Sequence, residues 1–202
     1  MKQRTLAVVS AGLSQPSATR LLADQLSAAA VTAAAAHDIT LTVKVIELRD
    51  LAHDIANHLL TGFPPAALKQ ALDDVAAADA LIAVTPIFTA SYSGLFKSFI
   101  DVLDKDALAD KPVLIAATAG TARHSLTLEH ALRPLFAYLR AVVVPTAVFA
   151  ASDDWGADSA DGTLRTRVTR AAAELAQELT RREPVTVADP FALTTSFEDL
   201  LR

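Results

Sequence analysis

A three-layer α/β sandwich on a five-stranded parallel sheet is the fold that this chain of 202 residues predicts. Three observations carry the expectation. Apolar runs alternate regularly with helical patterns, as they do where crossover helices link parallel strands. The runs Leu6 to Val9, Ala80 to Val84 and Val113 to Ala117 are continuously apolar, as strands covered on both faces must be. The other two are marked as rims. Around Leu41 to Leu48, Ile39, Leu41, Val43 and Val45 alternate with Thr40, Thr42 and Lys44, a half-exposed pattern. Val142 to Ala150 contains Pro145, which has no N–H to give a ladder and belongs at an edge.

With the second and fifth strands at the rims and right-handed crossovers, the order is 2-1-3-4-5, the flavodoxin-like arrangement. Between the strands, Ser17 to Ala30 sets Leu21, Leu22, Leu26 and Ala29 on one helical face, and Pro65 to Ala78 does so with Leu68, Ala71, Leu72 and Val75. Helix Leu95 to Leu103 is apolar nearly all round, which predicts one face on the sheet and another on a second subunit. Leu126 to Leu139 and Leu164 to Leu179 follow as helices. Residues 1–182 are expected to form one flavodoxin-like domain and 183–202 a tail. There Thr195 and Glu198 have capping-box spacing for a short helix at Ser196, with Phe197, Leu200 and Leu201 on its apolar face.

Composition removes several classes of function. Without cysteine there is no disulfide framework, thiolate metal site or cysteine nucleophile. A formal charge of -5, not gathered into runs, argues against nucleic acid or an anionic membrane as partner. MKQRTLAVVS passes into a strand pattern without the apolar core of a signal peptide, and no apolar run reaches the roughly 20 residues of a membrane span. The expectation is a cytoplasmic protein.

In the order 2-1-3-4-5 the loops after the first and third strands face each other at the point where the winding reverses, and ligands bind there. The first loop, SAGLSQPSATR, offers Ser10, Ser14, Ser17, Thr19 and Gly12 ahead of a helix N-terminus whose amides are unpaired: a phosphate cradle, or a set of plain N-caps. It is neither G-x-G-x-x-G nor a P-loop. After the third strand, Pro86 pins the backbone, Ile87 and Phe88 pair amides with apolar side chains, and Ser91, Tyr92 and Ser93 add hydroxyls before Gly94 opens a helix. After the fourth, Thr118, Ala119 and Gly120 let a ring approach backbone, with Arg123 and His124 beyond for anionic groups of a second ligand. Phosphate, aromatic ring and small-residue shelf describe flavin mononucleotide, FMN.

SAGLSQPSATR, TPIFTASYSGLFKSFIDVLD and ATAGTARHSLTLEHALRPLFAYLRA resemble the NAD(P)H-dependent FMN reductase family, in particular the two-component flavin reductases of sulfonate use and of luciferase-like monooxygenases. The core Pro86 to Gly94 is the most specific part. The resemblance implies a homodimer or homotetramer that reduces FMN with NADPH or NADH and passes it to a flavin-dependent monooxygenase. By motif position, Ser10, Ser17, Ala18 and Thr19 take the phosphate, and Pro86, Ile87, Phe88, Ser91, Tyr92, Thr118, Ala119 and Gly120 line the isoalloxazine. Ser14 stands where many relatives have an arginine, so amides, hydroxyls and Arg20 are left to meet the phosphate.

Other residues are weighed against this reading. Of His53, Asp54 and His58, the last two are four apart as paired metal ligands would be, but no third and fourth ligand of suitable spacing follow, and the segment reads as a solvated loop. Lys97 is spaced to pair with Asp101. Glu129 and His130 have the makings of an acid and a base, yet hydride transfer to flavin needs no side-chain nucleophile, so no catalytic residue is assigned and His130 is given to an interface. Trp155, the sole tryptophan, caps either the site or the sheet. A flavodoxin-type electron carrier, and a quinone or azo reductase with tightly held FMN, are the alternatives. The carrier would show a Thr-x-Thr-Gly-x-Thr loop and a strongly acidic face, which this sequence lacks.

Overall fold

The computed structural model describes residues 1–155 and 163–185. Four long strands, β1 (Lys2–Ser10), β2 (Ile39–Glu47), β3 (Ala80–Phe88) and β5 (Pro112–Ala119), pair in parallel in the order β2-β1-β3-β5. A short β4 (Ser91–Tyr92) turns back antiparallel on β3, and β6 (Val142–Val143) and β7 (Val148–Ala151) both pair with β5 at the far edge. This is the flavodoxin-like order expected.

The central strands explain their apolar composition. Leu6, Val8, Ile82, Val84, Leu114 and Ala116 face one helical layer, α1 (Ala18–Ala35) with α6 (Thr163–Thr180). Their alternates Ala7, Val9, Leu81, Ala83, Ile115 and Ala117 face the other. That second layer comprises α2 (Ala52–Thr61), α3 (Ala66–Ala77), α4 (Gly94–Asp101) and α5 (Arg133–Tyr138). Alternate side chains of one strand thus serve two cores, so both sets must be apolar.

Three elements differ from expectation, each for a physical reason. The predicted strand Val142 to Ala150 is two strands, because Pro145 interrupts it. The freed backbone groups find side chains instead: Arg133 donates to the carbonyls of Val144 (3.2 Å) and Pro145 (3.0 Å), while Glu174 accepts from the amide and hydroxyl of Thr146, both at 2.7 Å. The segment with His53, Asp54 and His58 is not a solvated loop but α2, which buries Ile55 and ends at Gly62 in the left-handed region (φ 76°). Helix Leu126 to Leu139 is shorter and opens on a π-helical turn, Leu128–Leu132, before α5.

The all-round apolar helix turns one face to its own core. Phe96 and Phe99 are fully buried within the subunit, and Phe96 lies 6.3 Å from Phe136, ring centre to ring centre. Its own second layer covers those rings, while Leu95, Val102 and Leu103 stay half-buried. Lys97 pairs with Asp101 at 2.5 Å as its spacing predicts. Among the described residues no helix is long and apolar enough to cross a membrane. The tail helix at Ser196 lies outside the described residues, as does all of the tail after Val185.

At the amino-terminal pole of the sheet, Lys111 is buried and donates to the carbonyls of Val75 (2.6 Å) and Ala76 (2.8 Å) in the last turn of α3. Beside it Asp79 accepts from the amide of Thr5 at 2.7 Å and that of Val185 at 2.9 Å.

Candidate active site

At the carboxyl ends of β1, β3, β5 and β7 lies a cleft of about 610 Å³, within the range of small-ligand sites. The first bank is the loop after β1 together with the start of α1. Leu13, Ser14, Ser17, Ala18 and Thr19 line it. Ser17 is the N-cap of α1, its Oγ accepting from the Arg20 amide at 3.2 Å, so the plain-cap reading and the cleft-lining position hold together. Gly12 is required by space: a Cβ there would stand 2.0 Å from Ser17 Oγ and 3.1 Å from Thr19 Cβ. Ser10 sits deeper, 1% exposed, with its Oγ unpartnered among the described residues.

The second bank is the end of β3. Pro86, Ile87 and Phe88 line the cleft, and Phe88 keeps 47% of its surface exposed. The chain then reverses through Thr89 (φ 48°) and Ala90 (φ 69°) into β4, placing Tyr92 opposite Ile87 and Ser91 opposite Phe88. Thr85 Oγ1 holds the base of this hairpin, accepting from the Ser93 amide at 3.1 Å and donating to the Pro86 carbonyl at 3.0 Å. Ser91 and Tyr92 are half-buried on the returning strand and are not among the lining residues; the Tyr92 ring packs 6.0 Å from Phe96.

The third bank, Thr118, Ala119 and Gly120, is joined to the first by a hydrogen bond between the Thr19 and Thr118 hydroxyls at 2.8 Å. Arg123 and His124 follow on a short 3₁₀ turn, outside the lining. A fourth bank comes from the turn after β7: Trp155, left by the sequence between capping the site and capping the sheet, lines the cleft, as does Ser152, which was not assigned from sequence. The available signal was position: this turn also leaves the carboxyl end of a strand.

Among the described residues none of the lining side chains is charged. Arg20 is committed elsewhere, to Asp24 at 2.8 Å and to Glu47; the Asp24 hydrogen bond chiefly raises its pKa. Glu129 is likewise engaged, its carboxyl held below the ordinary range first by hydrogen bonding to Arg133. Among the described residues no cluster of His, Asp or Glu has the makings of a metal site. The cleft therefore offers amides, hydroxyls and the N-terminus of an 18-residue helix at one end and apolar surface at the other.

Comparisons with known proteins converge on one family. The family model described as NADPH-dependent FMN reductase matches residues 4–156. The FMN reductase (NADPH) of Pseudomonas aeruginosa is 40% identical over 147 residues, 73% of this chain and 76% of that protein. The NADH-dependent FMN reductase SfnE of Pseudomonas putida is 38% identical over 170 residues, covering 84% of this chain and 87% of that one. The crystal structure of an oxidoreductase from Corynebacterium diphtheriae superposes with a TM-score of 0.87 at 48% identity, over 91% of this chain and 100% of that one.

Proposed function

The chain belongs to the NADPH-dependent FMN reductase family, an NAD(P)H:FMN oxidoreductase, and on that premise we propose how its cleft binds and uses flavin. The phosphate of FMN lies at the start of α1, taken by amides and by the hydroxyls of Ser10, Ser17 and Thr19, with Ala18 leaving room. The isoalloxazine lies against Pro86, Ile87 and Phe88 on one side and Thr118, Ala119 and Gly120 on the other. Ser91 and Tyr92 support the ring wall from behind. Arg123 and His124, on the turn beyond the third bank, would meet the anionic groups of the reduced nicotinamide.

The observation that carries this reading is the division of the cleft into an amide-and-hydroxyl end and an apolar end, with no charged side chain lining either among the described residues. Two features fit a phosphate at the first end. The space beside Gly12 is closed to any side chain, and Ser10 Oγ is a buried hydroxyl without a partner among the described residues. The chemistry supplied by bound flavin is acceptance of a hydride from NAD(P)H plus a proton from solvent, giving NAD(P)+ and FMNH2. The share of the protein is alignment of two rings, and no side chain is required as acid, base or nucleophile.

A phosphate held without an ion pair is held exchangeably, which suits release of reduced FMN to a separate flavin-dependent monooxygenase. The subunits work as a homodimer or homotetramer. The test of the site is Ser17→Ala combined with Thr19→Ala: FMN binding is expected to weaken by roughly 1–3 kcal/mol, the scale of hydrogen bonds to a charged group. Riboflavin, without the phosphate, is expected to bind nearly as before. Equal losses for both flavins would remove these residues from the phosphate site, and the comparison cancels any general loss of stability.

A further inference from the structure

We propose that Trp155 closes the phosphate end of the cleft and selects a flavin mononucleotide over a flavin dinucleotide, an inference that rests on the flavin reading above. β7 extends the sheet beyond β5 in the register Thr118 to Ala150 and Ala119 to Ala151, so the turn Ser152–Trp155 begins beside the third bank. Trp155 is half-buried and packs on the layer formed by α1 and α6, whereas Ile87 and Ala119 pack on the opposite layer. The indole thus shares the α1 side of the cleft with Ser17 and Ala18, the residues assigned to the phosphate.

The turn that carries it is braced from two directions. Asp154 accepts from the Ala151 amide at 2.7 Å and from Arg167 of α6 at 3.3 Å, and Arg167 also donates to the Phe149 carbonyl at 3.1 Å. A large planar side chain on a braced turn is a wall. FMN ends in a phosphate monoester, which the helix amides and hydroxyls can enclose. A dinucleotide carries on from the same phosphorus into a second phosphate, a ribose and an adenine. Leaving on the α1 side, those groups pass the bank held by Trp155, and the second phosphate meets no cation among the described lining residues. Discrimination by obstruction and by uncompensated charge is available even where every contact to the shared flavin half is unchanged.

The chain contains one tryptophan, so its emission reports this bank alone. Wild-type protein is titrated with FMN, flavin adenine dinucleotide and riboflavin, bound flavin being measured by equilibrium dialysis and Trp155 emission in parallel. FMN is expected to quench the emission in proportion to occupancy, and the dinucleotide to bind at least about tenfold more weakly. Trp155→Ala is expected to narrow that ratio by about tenfold, mainly by strengthening the dinucleotide, and Trp155→Phe to keep most of it. Bound FMN with unaltered emission, equal affinity of the wild type for both flavins, or an unchanged ratio in the alanine variant each overturns the inference while leaving the flavin reading intact. Absence of any flavin retention in dialysis overturns the flavin reading itself. Should Trp155→Ala fail to fold, the wild-type titration and Trp155→Phe still decide.

Discussion

Thr19 and Thr118 meet hydroxyl to hydroxyl at 2.8 Å, 99 positions apart in sequence, and so fasten the first turn of α1 to the end of β5 beneath the cleft. Both are almost fully buried, so neither hydroxyl has water as a ready substitute. Thr118→Val leaves its partner buried and unpaired and is expected to cost about 1–3 kcal/mol in urea unfolding. Adding Thr19→Val removes the orphan, so the double variant is expected to recover part of the loss, a coupling of about 0.5–3 kcal/mol. Simple additivity would mean that the two hydroxyls do not bond in solution.

Gly12 is the position where the cleft tolerates no side chain. A Cβ would stand 2.0 Å from the Oγ that caps α1, so Gly12→Ala must displace Ser17 and with it the phosphate end. FMN affinity is expected to fall by about tenfold or more, with far-ultraviolet circular dichroism unchanged. Gly94 is the control: an added Cβ there meets nothing within 4 Å, and alanine at the start of α4 is expected to leave flavin affinity unaltered.

Lys111 makes stability depend on pH at the opposite pole. Burial pushes its ammonium down to about 8 from 10.5, with Asp79 opposing the shift. Between those values the unfolded chain holds more protons than the folded one, so stability rises as pH rises through that window; the increment is lost as pH falls through about 8. Lys111→Met is expected to lack the rise. At pH 7 it leaves two helix carbonyls without a donor and costs about 1–3 kcal/mol. Urea unfolding of both proteins at pH 7 and pH 10 checks this, and the same pH dependence in both would refute it.

The sheet was legible because its strands are dictated by burial on both faces, and the strand order because its two rim strands look unlike the other three. The three loop walls followed from that order, and Ser17, Ala18, Thr19, Pro86, Ile87, Phe88, Thr118, Ala119 and Gly120 share one cleft. The hairpin that carries Ser91 and Tyr92 off the lining was hidden, since a two-residue turn of this kind is normally announced by Asn-Gly, and here Thr89 and Ala90 hold the positive φ values. The burial of Phe96 and Phe99 within the subunit was hidden too. Periodicity shows that α4 is apolar all round without showing what covers it, and the cover includes α2, whose signals, Ile55 one turn after Leu51 and Gly62 at the end, lie among charges and histidines. Trp155 carried no pattern at all: a single aromatic residue has no period.

The break at Pro145 has a consequence beyond the accommodation of one proline. A parallel sheet that ended in an unbroken strand would offer a row of unpaired amides and carbonyls to any extended chain nearby. Here the far margin is two short pieces, Val142–Val143 and Val148–Ala151, and the carbonyls and amide between them are claimed by Arg133 and Glu174. Among the described residues no stretch of that margin runs beyond the four of Val148–Ala151. At the other rim, exposed Lys44, paired with Asp74 at 2.6 Å, puts a charge on the edge strand β2. Resistance to edge-to-edge aggregation is therefore built into both ends of the sheet.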